Sequence, residues 1–407
     1  MEYISGGVTA PEGFQAIGIA AGIKKQDRKD MAMLFSKVPA NAAGTFTTNV
    51  VKAAPVVWDR RIVQENKQAQ AVVVNSGIAN ACTGKEGMDY CAQTAQAAGA
   101  ALGIEPELVF CASTGVIGAQ LPIDRICSGV RTMTPLLSDS EEAGTLAAEA
   151  IMTTDTRKKE TAVRFTLGGK TVTIGGMSKG SGMIHPNMCT MLAFLTTDCA
   201  ISQEMLQKAL SEDIKSTYNM ISVDGDTSTN DTCILMANGL AGNEMITAPG
   251  EDFDIFCAAL NMVNTWLAKH MAADGEGASC LFEVIVEQAE SHAQAVTLAK
   301  SVVTSNLVKT AIAGHDANWG RILCAMGYSG AEFDPEKVDL FFESANGTLQ
   351  IISEGVAADY DEGEATHILS AEAVTARICM HAGEETATAW GCDLTHEYIS
   401  INADYRS

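Results

Sequence analysis

Short apolar runs alternate along this chain with stretches of helical periodicity. Ala71-Val-Val-Val-Asn75 has the pattern of a buried strand, and residues 86–102 have the pattern of a helix that stops at Gly103. A further strand over 107–112 leads into Ser113-Thr-Gly115. Strands that are separated by helices predict a mixed α/β fold, and they disfavour an all-helical or an all-β chain.

The middle of the chain continues this pattern. Residues 162–174 alternate around Gly168-Gly169, and adjacent glycines accept the positive φ of a tight turn, so we expect a β-hairpin there. Residues 190–195 predict another strand. Ser202 then stands where an N-cap is expected, before a helix with one apolar face.

From about residue 281 the order of the elements changes. The sequence predicts a β-α-β-β-α-β order with an insertion over 305–330, which is typical of a split-βαβ unit. The predicted strands are 281–286, 338–342, 349–352 and 386–390, and the predicted helices are 292–303 and 368–380. We therefore expect a smaller satellite domain at 281–390 and a main domain formed by 1–280 plus 391–407.

Charge and hydropathy limit the partners of the chain. It has 407 residues with 27 basic and 50 acidic side chains, a net charge of −23. A negative field of this size repels phosphate, so nucleic acid and anionic membranes are poor partners. No segment reaches the roughly 18 apolar residues of a membrane span. Because Met1-Glu-Tyr-Ile also lacks the basic region of a signal peptide, we expect a cytoplasmic protein.

Several motifs are incomplete. Twelve cysteines occur without a Cys-x-x-Cys pair, and no second Cys or His cluster completes a zinc set with His185, so we expect reduced thiols and no metal. Gly169-Lys-Thr171 resembles the end of a phosphate-binding loop, but Arg164 stands where that loop needs glycine. The stretch beginning at Asp224 lacks the glycine and the final glutamate of a calcium loop.

The most informative stretch is Lys179-Gly-Ser-Gly-Met-Ile-His-Pro-Asn-Met-Cys-Thr-Met-Leu-Ala-Phe194. Its glycines permit close backbone approach and unusual dihedral angles, and Pro186 fixes the direction of the chain. Thr190 stands at the junction of this loop with a hydrophobic strand. Taken alone, the stretch is an ordinary loop-to-strand junction.

This stretch resembles the self-processing motif of the ornithine acetyltransferase family, and matches continue over nearly the whole chain. The further matching stretches are Asn75-Ser-Gly-Ile-Ala-Asn-Ala-Cys-Thr-Gly84, Ser113-Thr-Gly-Val-Ile-Gly118, Ile151-Met-Thr-Thr-Asp-Thr156, Val223-Asp-Gly-Asp-Thr-Ser-Thr-Asn-Asp-Thr232, Asp274-Gly-Glu-Gly277, Asn318-Trp-Gly-Arg321 and Ile401-Asn-Ala-Asp-Tyr-Arg-Ser407. Seven matches in order are highly specific. Two positions depart from the family pattern, Cys189 where alanine is usual and Ser407 where threonine is common.

The resemblance implies a layered αββα-type core like that of N-terminal-nucleophile enzymes. It also implies self-cleavage between Cys189 and Thr190, which yields an α chain of residues 1–189 and a β chain of residues 190–407. Thr190 would then be the acyl-carrying nucleophile, with its new α-amino group, which titrates near ~8, as a local base. Thr114 and Gly115 would form the oxyanion hole.

The implied reaction moves acetyl from N2-acetyl-L-ornithine to L-glutamate in arginine biosynthesis. Lys179 suits the substrate carboxylate and Glu276 the distal ammonium by charge. The matching family positions that bind substrate are Thr153, Lys179, Thr190, Glu276, Asn402 and Ser407. No cofactor is implied, the use of acetyl-CoA as a second acetyl donor stays open, and the expected assembly is a heterotetramer of two α and two β chains.

Two other functions compete with this interpretation. Related N-terminal-nucleophile aminopeptidases or amidohydrolases use the same nucleophile with water as the acceptor. An acidic binding or scaffold protein that kept the fold is the third alternative. The C-terminal tail and the Lys179-Gly-Ser-Gly182 stretch favour the transferase, because the aminopeptidases lack these matches. Intact nucleophile and oxyanion segments argue against a scaffold, while a role for His185 stays open.

Overall fold

The computed structural model describes residues 1–24, 28–185 and 191–404. The strands are β1 (Glu2–Ile4), β2 (Phe14–Ile19), β3 (Met31–Phe46), β4 (Gln68–Ile78), β5 (Val109–Val116), β6 (Lys159–Leu167), β7 (Lys170–Lys179), β8 (Leu192–Thr197), β9 (Ile221–Ser222), β10 (Thr232–Ala237), β11 (Leu281–Ala289), β12 (Asp339–Ser344), β13 (Gly347–Ser353), β14 (Val356–Ala357), β15 (Ala373–Cys379) and β16 (Glu385–Cys392). The helices are α1 (Ala54–Arg61), α2 (Glu86–Leu102), α3 (Ile123–Met133), α4 (Glu141–Ala150), α5 (Gln203–Ser216), α6 (Glu251–Ala273), α7 (His292–Thr304), α8 (Asn306–Ala313), α9 (Trp319–Gly327), α10 (Glu362–Leu369) and α11 (His396–Ala403).

The first sheet bends at its longest strand. Its order over the described residues is β1-β6-β7-β8-β10-β3-β4-β5, with β2 beside β3. The first half of β3 pairs with β2 and β4, its second half pairs with β10, and the register with β4 shifts between Phe35 and Ala40. Such an irregularity bends a strand. The bend therefore divides the sheet into a β2-β4-β5 half and a β6-β7-β8-β10 half.

The two halves pack face to face between helices. Alternate residues of β4 and β5, such as Val72 and Phe110, share a buried cluster with Phe194 of β8 and Ile234 of β10. The residues between them, such as Val73, pack instead against α2 and α3. On the opposite side, α6 covers β6 and β7, and α5 packs against β3 and β10. This confirms the layered αββα core, and burial on both faces explains the continuous apolar run of β4.

The second sheet has the order β14-β13-β12-β15-β11-β16-β9 over the described residues. Strand β11 pairs in parallel with β15 and antiparallel with β16. Helix α7 packs on β11 and β16, and α6 contacts strands of both sheets. The mixed α/β fold with a second sheet is thus confirmed, while the predicted domain limits stay a prediction.

Most local expectations are confirmed. The helix over 86–102, the hairpin around Gly168-Gly169 and the Ser202 cap, whose side chain accepts from the Met205 N–H, all occur. The helix over 368–380 is wrong, because α10 ends at Leu369 and β15 follows. In β15 alternate residues such as Val374 and Ile378 are buried, and the strand lies between β11 and β12. Pairing on both sides stabilises the extended backbone there.

None of the described helices combines the length and the apolar character that crossing a membrane requires.

Candidate active site

A cavity of about 290 Å³ lies where the ends of β5 and β7 meet the start of β8, the loop before β10 and helix α11. That volume suits one small metabolite at a time. Its walls include side chains from sequence positions as distant as residues 114 and 402. The fold therefore joins both halves of the chain around one concave site.

Six residues predicted from the sequence line this cavity. They are Thr114, Gly115, Thr153, Lys179, Glu276 and Asn402. Cys189, Thr190 and Ser407 lie outside the described residues. Met191, which directly follows Thr190 in the sequence, lines the same cavity. The described part of the predicted site is thus brought together in one place.

The Thr114-Gly115 wall depends on a close approach of two strands. Gly115 lies opposite Gly77 in the parallel β4–β5 pair and has φ of +125°. A Cβ atom at Gly115 would lie 2.3 Å from the Gly77 carbonyl, so only glycine fits. The Thr114 hydroxyl lies 3.3 Å from the Lys179 ammonium. This end of the cavity therefore combines a constrained backbone with a cation.

Lys179 ends β7 and is only 7% exposed. Burial lowers the pKa of its ammonium, and the Asp155 carboxylate partly offsets that effect. A buried cation attracts an anionic ligand strongly, because little water screens it. The site can therefore bind a carboxylate at this position.

A buried ion network lies behind Lys179. Asp155 accepts from the Thr153 and Gly180 N–H groups at 2.9 and 2.8 Å and from the Lys159 ammonium at 2.7 Å. Lys159 also donates to Asp274 at 2.6 Å. Burial opposes ionisation of Asp155, but Lys159 and Lys179 lower the pKa of its carboxyl below the usual range. The network therefore fixes the two segments that carry Thr153 and Lys179.

Glu276 and Asn402 form another wall of the cavity. The Asn402 side-chain amide donates to Glu276 Oε2 at 2.7 Å, and Glu276 is 8% exposed. A Cβ at Gly182 would lie 2.3 Å from this carboxylate, so glycine permits the approach. The Thr395 hydroxyl donates to the Gly277 carbonyl at 2.7 Å and holds α11 in place. The result is a buried acid that suits an ammonium ligand.

Comparison with known proteins identifies the family. A family model described as the ArgJ family matches residues 15–407. The chain belongs to the ArgJ family. It is 53% identical over 409 residues, and over the full length of both chains, to an arginine biosynthesis bifunctional protein ArgJ of Symbiobacterium thermophilum. A second protein of that name, from Caldanaerobacter subterraneus, is 49% identical, again over the full length of both.

Among solved structures, the chain is similar to an arginine biosynthesis bifunctional protein from Bacillus halodurans. The identity is 46%, with a TM-score of 0.49, and the match covers 52% of this chain and 97% of the other. Membership of the ArgJ family makes this chain an enzyme of arginine biosynthesis with an acetyltransferase role.

In this ArgJ chain Asp224 connects the loop after β7 to the C-terminal helix. It accepts from the Met183 and Ile184 N–H groups at 2.6 and 2.9 Å and from the Tyr398 hydroxyl at 3.2 Å. His185 follows, with Nδ1 3.1 Å from the Ser222 hydroxyl, and burial lowers the pKa of its imidazole. Asp224 thus holds the segment before the predicted cleavage site.

Sequence reasoning missed several residues of the site. Asp155, Asp274 and Asp231 all stand in the matching stretches, but no role was assigned to them. Asp231 lines the cavity and is 2% exposed. Position within a matching stretch was the only available signal, because contact and burial cannot be inferred from composition or spacing.

Proposed function

We propose that this ArgJ protein transfers acetyl from N2-acetyl-L-ornithine to L-glutamate through an acetyl ester on Thr190. One observation carries the proposal: a single cavity holds a buried cation, Lys179, and a buried acid, Glu276, beside Thr114 and Gly115. N2-Acetylornithine has a carboxylate and a distal ammonium, so its charges complement this pair.

Maturation would create the catalytic group. The Thr190 hydroxyl attacks the Cys189 carbonyl, and the peptide bond between them breaks to leave an ester and a free α-amino group. Water then opens the ester, and residues 190–407 become a separate chain. A threonine hydroxyl is a weak nucleophile until a neighbouring base takes its proton. The freed α-amino group titrates near ~8, so it is partly unprotonated at neutral pH and can supply that base.

In the first half-reaction the Thr190 hydroxyl attacks the acetyl carbonyl. Donors at Thr114 and Gly115 would stabilise the oxyanion, and removing one such donor costs roughly 3–4 kcal/mol in other enzymes. The Lys179 ammonium, 3.3 Å from the Thr114 hydroxyl, adds positive potential to that end of the cavity. Glu276 and Asn402 would hold the distal ammonium.

In the second half-reaction glutamate enters the site that ornithine has left, and its amine takes the acetyl group from Thr190. A volume of about 290 Å³ favours one amino acid at a time, which is the arrangement of ping-pong kinetics. We also propose acetyl-CoA as a second acetyl donor, because the relatives are named as bifunctional proteins and a second donor would supply the second activity.

We also propose an assembly of two α and two β chains in the cytoplasm. Thr114, Thr153 and Lys179 precede the predicted cleavage point, whereas Glu276 and Asn402 follow it. The cavity therefore needs both products, and they must stay associated. A net charge of −23 fits a protein dissolved in the cytoplasm.

The first prediction concerns Thr190. Wild-type protein should separate on a denaturing gel into chains of 189 and 218 residues (407 − 189 = 218). Acetylornithine alone should leave one acetyl group on the 218-residue chain, seen by mass spectrometry, and glutamate should discharge it. Thr190→Ala should stay uncut and inactive, because it lacks the attacking hydroxyl.

Thr190→Ser is the matched control, since it keeps a hydroxyl and should still be cleaved. An uncut Thr190→Ala chain with full activity would contradict the proposal. Turnover of acetylornithine at a rate that glutamate does not raise would favour the amidohydrolase instead, with Thr190 still the nucleophile.

A further inference from the structure

We infer that Asp231 is a catalytic residue of this cavity. Its carboxylic acid protonates the amine that leaves the acetyl group and then accepts a proton from the amine that attacks it. This inference rests on the proposed function, and it assigns a proton carrier that is separate from the α-amino group of Thr190.

The position of Asp231 is set by contacts with the two strands that carry the reacting end of the cavity. Its neighbour Asn230 donates from its side-chain amide to the Ser113 carbonyl at 2.9 Å. The next residue, Thr232, donates from its N–H to the Met191 carbonyl at 2.8 Å. Asp231 therefore lies between the end of β5, which carries Thr114, and the start of β8.

The carboxyl group of Asp231 is buried and incompletely bonded. The Thr47 N–H donates to the Asp231 carbonyl at 3.0 Å, and Asp231 as a whole is 2% exposed. Among the described residues, its Oδ2 has no hydrogen-bond partner. A buried polar atom without a partner is costly, so such atoms call for an explanation. Asp231 also lines the cavity, so a bound substrate would lie beside this carboxyl group.

The charge state of Asp231 suits a proton donor. Burial raises the pKa of its carboxyl well above the usual range, and the Ser228 hydroxyl and the Lys179 ammonium only partly offset this effect. Among the described charged groups, Lys179 acts on Asp231, and Lys24, Asp155, Lys159 and Glu276 act in turn on Lys179. Burial thus favours the neutral acid with which Asp231 starts the proposed cycle, and Lys179 stabilises the carboxylate that forms.

The proton balance is complete in both halves. In the first, the Thr190 hydroxyl proton passes to its α-amino group, the C–O bond forms, the C–N bond breaks, and Asp231 gives its proton to the departing nitrogen. In the second, the neutral amine of glutamate attacks, the C–N bond forms and the C–O bond to Thr190 breaks, Asp231 takes one proton from that nitrogen, and the α-ammonium returns its proton to the Thr190 oxygen. No other reactant is consumed.

The test compares two acetyl donors that differ in the leaving group. Single-turnover acylation is measured with acetylornithine, whose amine must be protonated, and with 4-nitrophenyl acetate, whose phenolate leaves without a proton. Asp231→Asn should acylate about 100-fold or more slowly with acetylornithine but within about threefold of wild type with the ester. Wild-type acylation by acetylornithine should fall as pH rises through the pKa of Asp231, and Asp231→Asn should lack that fall.

Asp59→Asn is the matched control. Asp59 is also buried, its Oδ2 also has no partner among the described residues, and burial also raises its pKa, but it stands on α1 and does not line the cavity. This variant should acylate like wild type with both donors.

Equal loss with both donors would show that Asp231 only shapes the cavity, and would overturn the inference. So would unchanged acylation by acetylornithine. An Asp231→Asn chain that stays uncut while Asp231→Glu is cleaved would assign the residue to maturation and would overturn it too. Active Thr190→Ala would sink the proposed function itself, whereas inactive Thr190→Ala with fully active Asp231→Asn would sink only this inference.

Discussion

The two sheets contribute to the cavity in different ways. Strand ends and loops of the first sheet carry Thr114, Gly115 and Lys179, whereas no strand of the second sheet lines the cavity within the described ranges. Apart from β9, the strands of the second sheet instead lie between Glu276 and Asn402 in the sequence. Its strands β11 and β16 pair with Leu281 opposite Cys392, which brings those flanking segments together. The first sheet therefore supplies Thr114, Gly115 and Lys179 to the cavity, and the second sheet brings Glu276 and Asn402 close to each other.

The same contrast appears in their ion networks. Lys159 of the first sheet, with its partners Asp155 and Asp274, is essentially inaccessible to water. Arg377 of the second sheet pairs with Glu343 at 2.7 Å and with Glu287 at 3.0 Å, and its side chain is 26% exposed. Water screens the second network more strongly. Removing it should therefore lower the free energy of unfolding less than removing the first network does.

The largest effect is expected from Lys159→Met. It leaves the buried carboxylates of Asp155 and Asp274 without their shared cation, which costs about 3–5 kcal/mol in the free energy of unfolding. Urea denaturation measures this loss. Activity should fall as well, because Asp155 also orients the Thr153 and Gly180 N–H groups.

The pH dependence of this loss follows from the lowered pKa of Asp155. A carboxyl with a lowered folded-state pKa stabilises the protein above its unfolded pKa of about 3.9, and this contribution is lost as pH falls below that value. The difference between wild type and Lys159→Met should therefore be constant near neutrality and shrink in acid. A loss below about 1 kcal/mol at neutral pH would show that the Lys159 network stabilises the protein no more than the exposed Arg377 network does.

A smaller effect is expected from Gly115→Ala in the first sheet. The variant must keep φ near +125° and place a Cβ 2.3 Å from the Gly77 carbonyl, so we expect about 1–3 kcal/mol of destabilisation. Displacement of the cavity wall should lower kcat/KM by about 10-fold to 100-fold. Steady-state kinetics with acetylornithine and glutamate check this.

Gly118→Ala is the control for backbone strain alone. Gly118 also has a positive φ, +86°, but a Cβ there meets nothing within 4 Å. Its kcat/KM should stay within about threefold of wild type. An equal loss of kcat/KM in both variants would show that backbone strain alone causes the effect, and that the close approach of β4 and β5 at Gly115 does not contribute.

The smallest effect is expected from Arg377→Met in the second sheet. It removes two partly exposed ion pairs and a contact of the guanidinium with the Phe341 ring, 4.1 Å from its centroid. We expect a loss of about 1 kcal/mol in urea denaturation. Activity should stay within about twofold, because none of these groups lines the cavity. A large loss of kcat/KM would mean that the second sheet takes part in catalysis.

The sequence by itself determined the elements with strong periodicity and the composition of much of the site. Helix α2, the β6–β7 hairpin and the Ser202 cap follow from local patterns of apolar, glycine and capping residues, which act within a few positions. The matching stretches named Thr114, Gly115, Thr153, Lys179, Glu276 and Asn402, and all six line one cavity. A motif can identify such residues because it consists of the side chains that the reaction itself requires.

Only the tertiary structure decided how the strands pair and which residues lie around the cavity. Strand β15 is extended because β11 and β12 pair with it on both sides, although its sequence is compatible with a helix. Lys159 contacts an aspartate 115 positions away, and Asp231 is an unusual acid because of its burial. Burial and long-range contact depend on the packing of distant segments, so local sequence patterns contain no direct record of them.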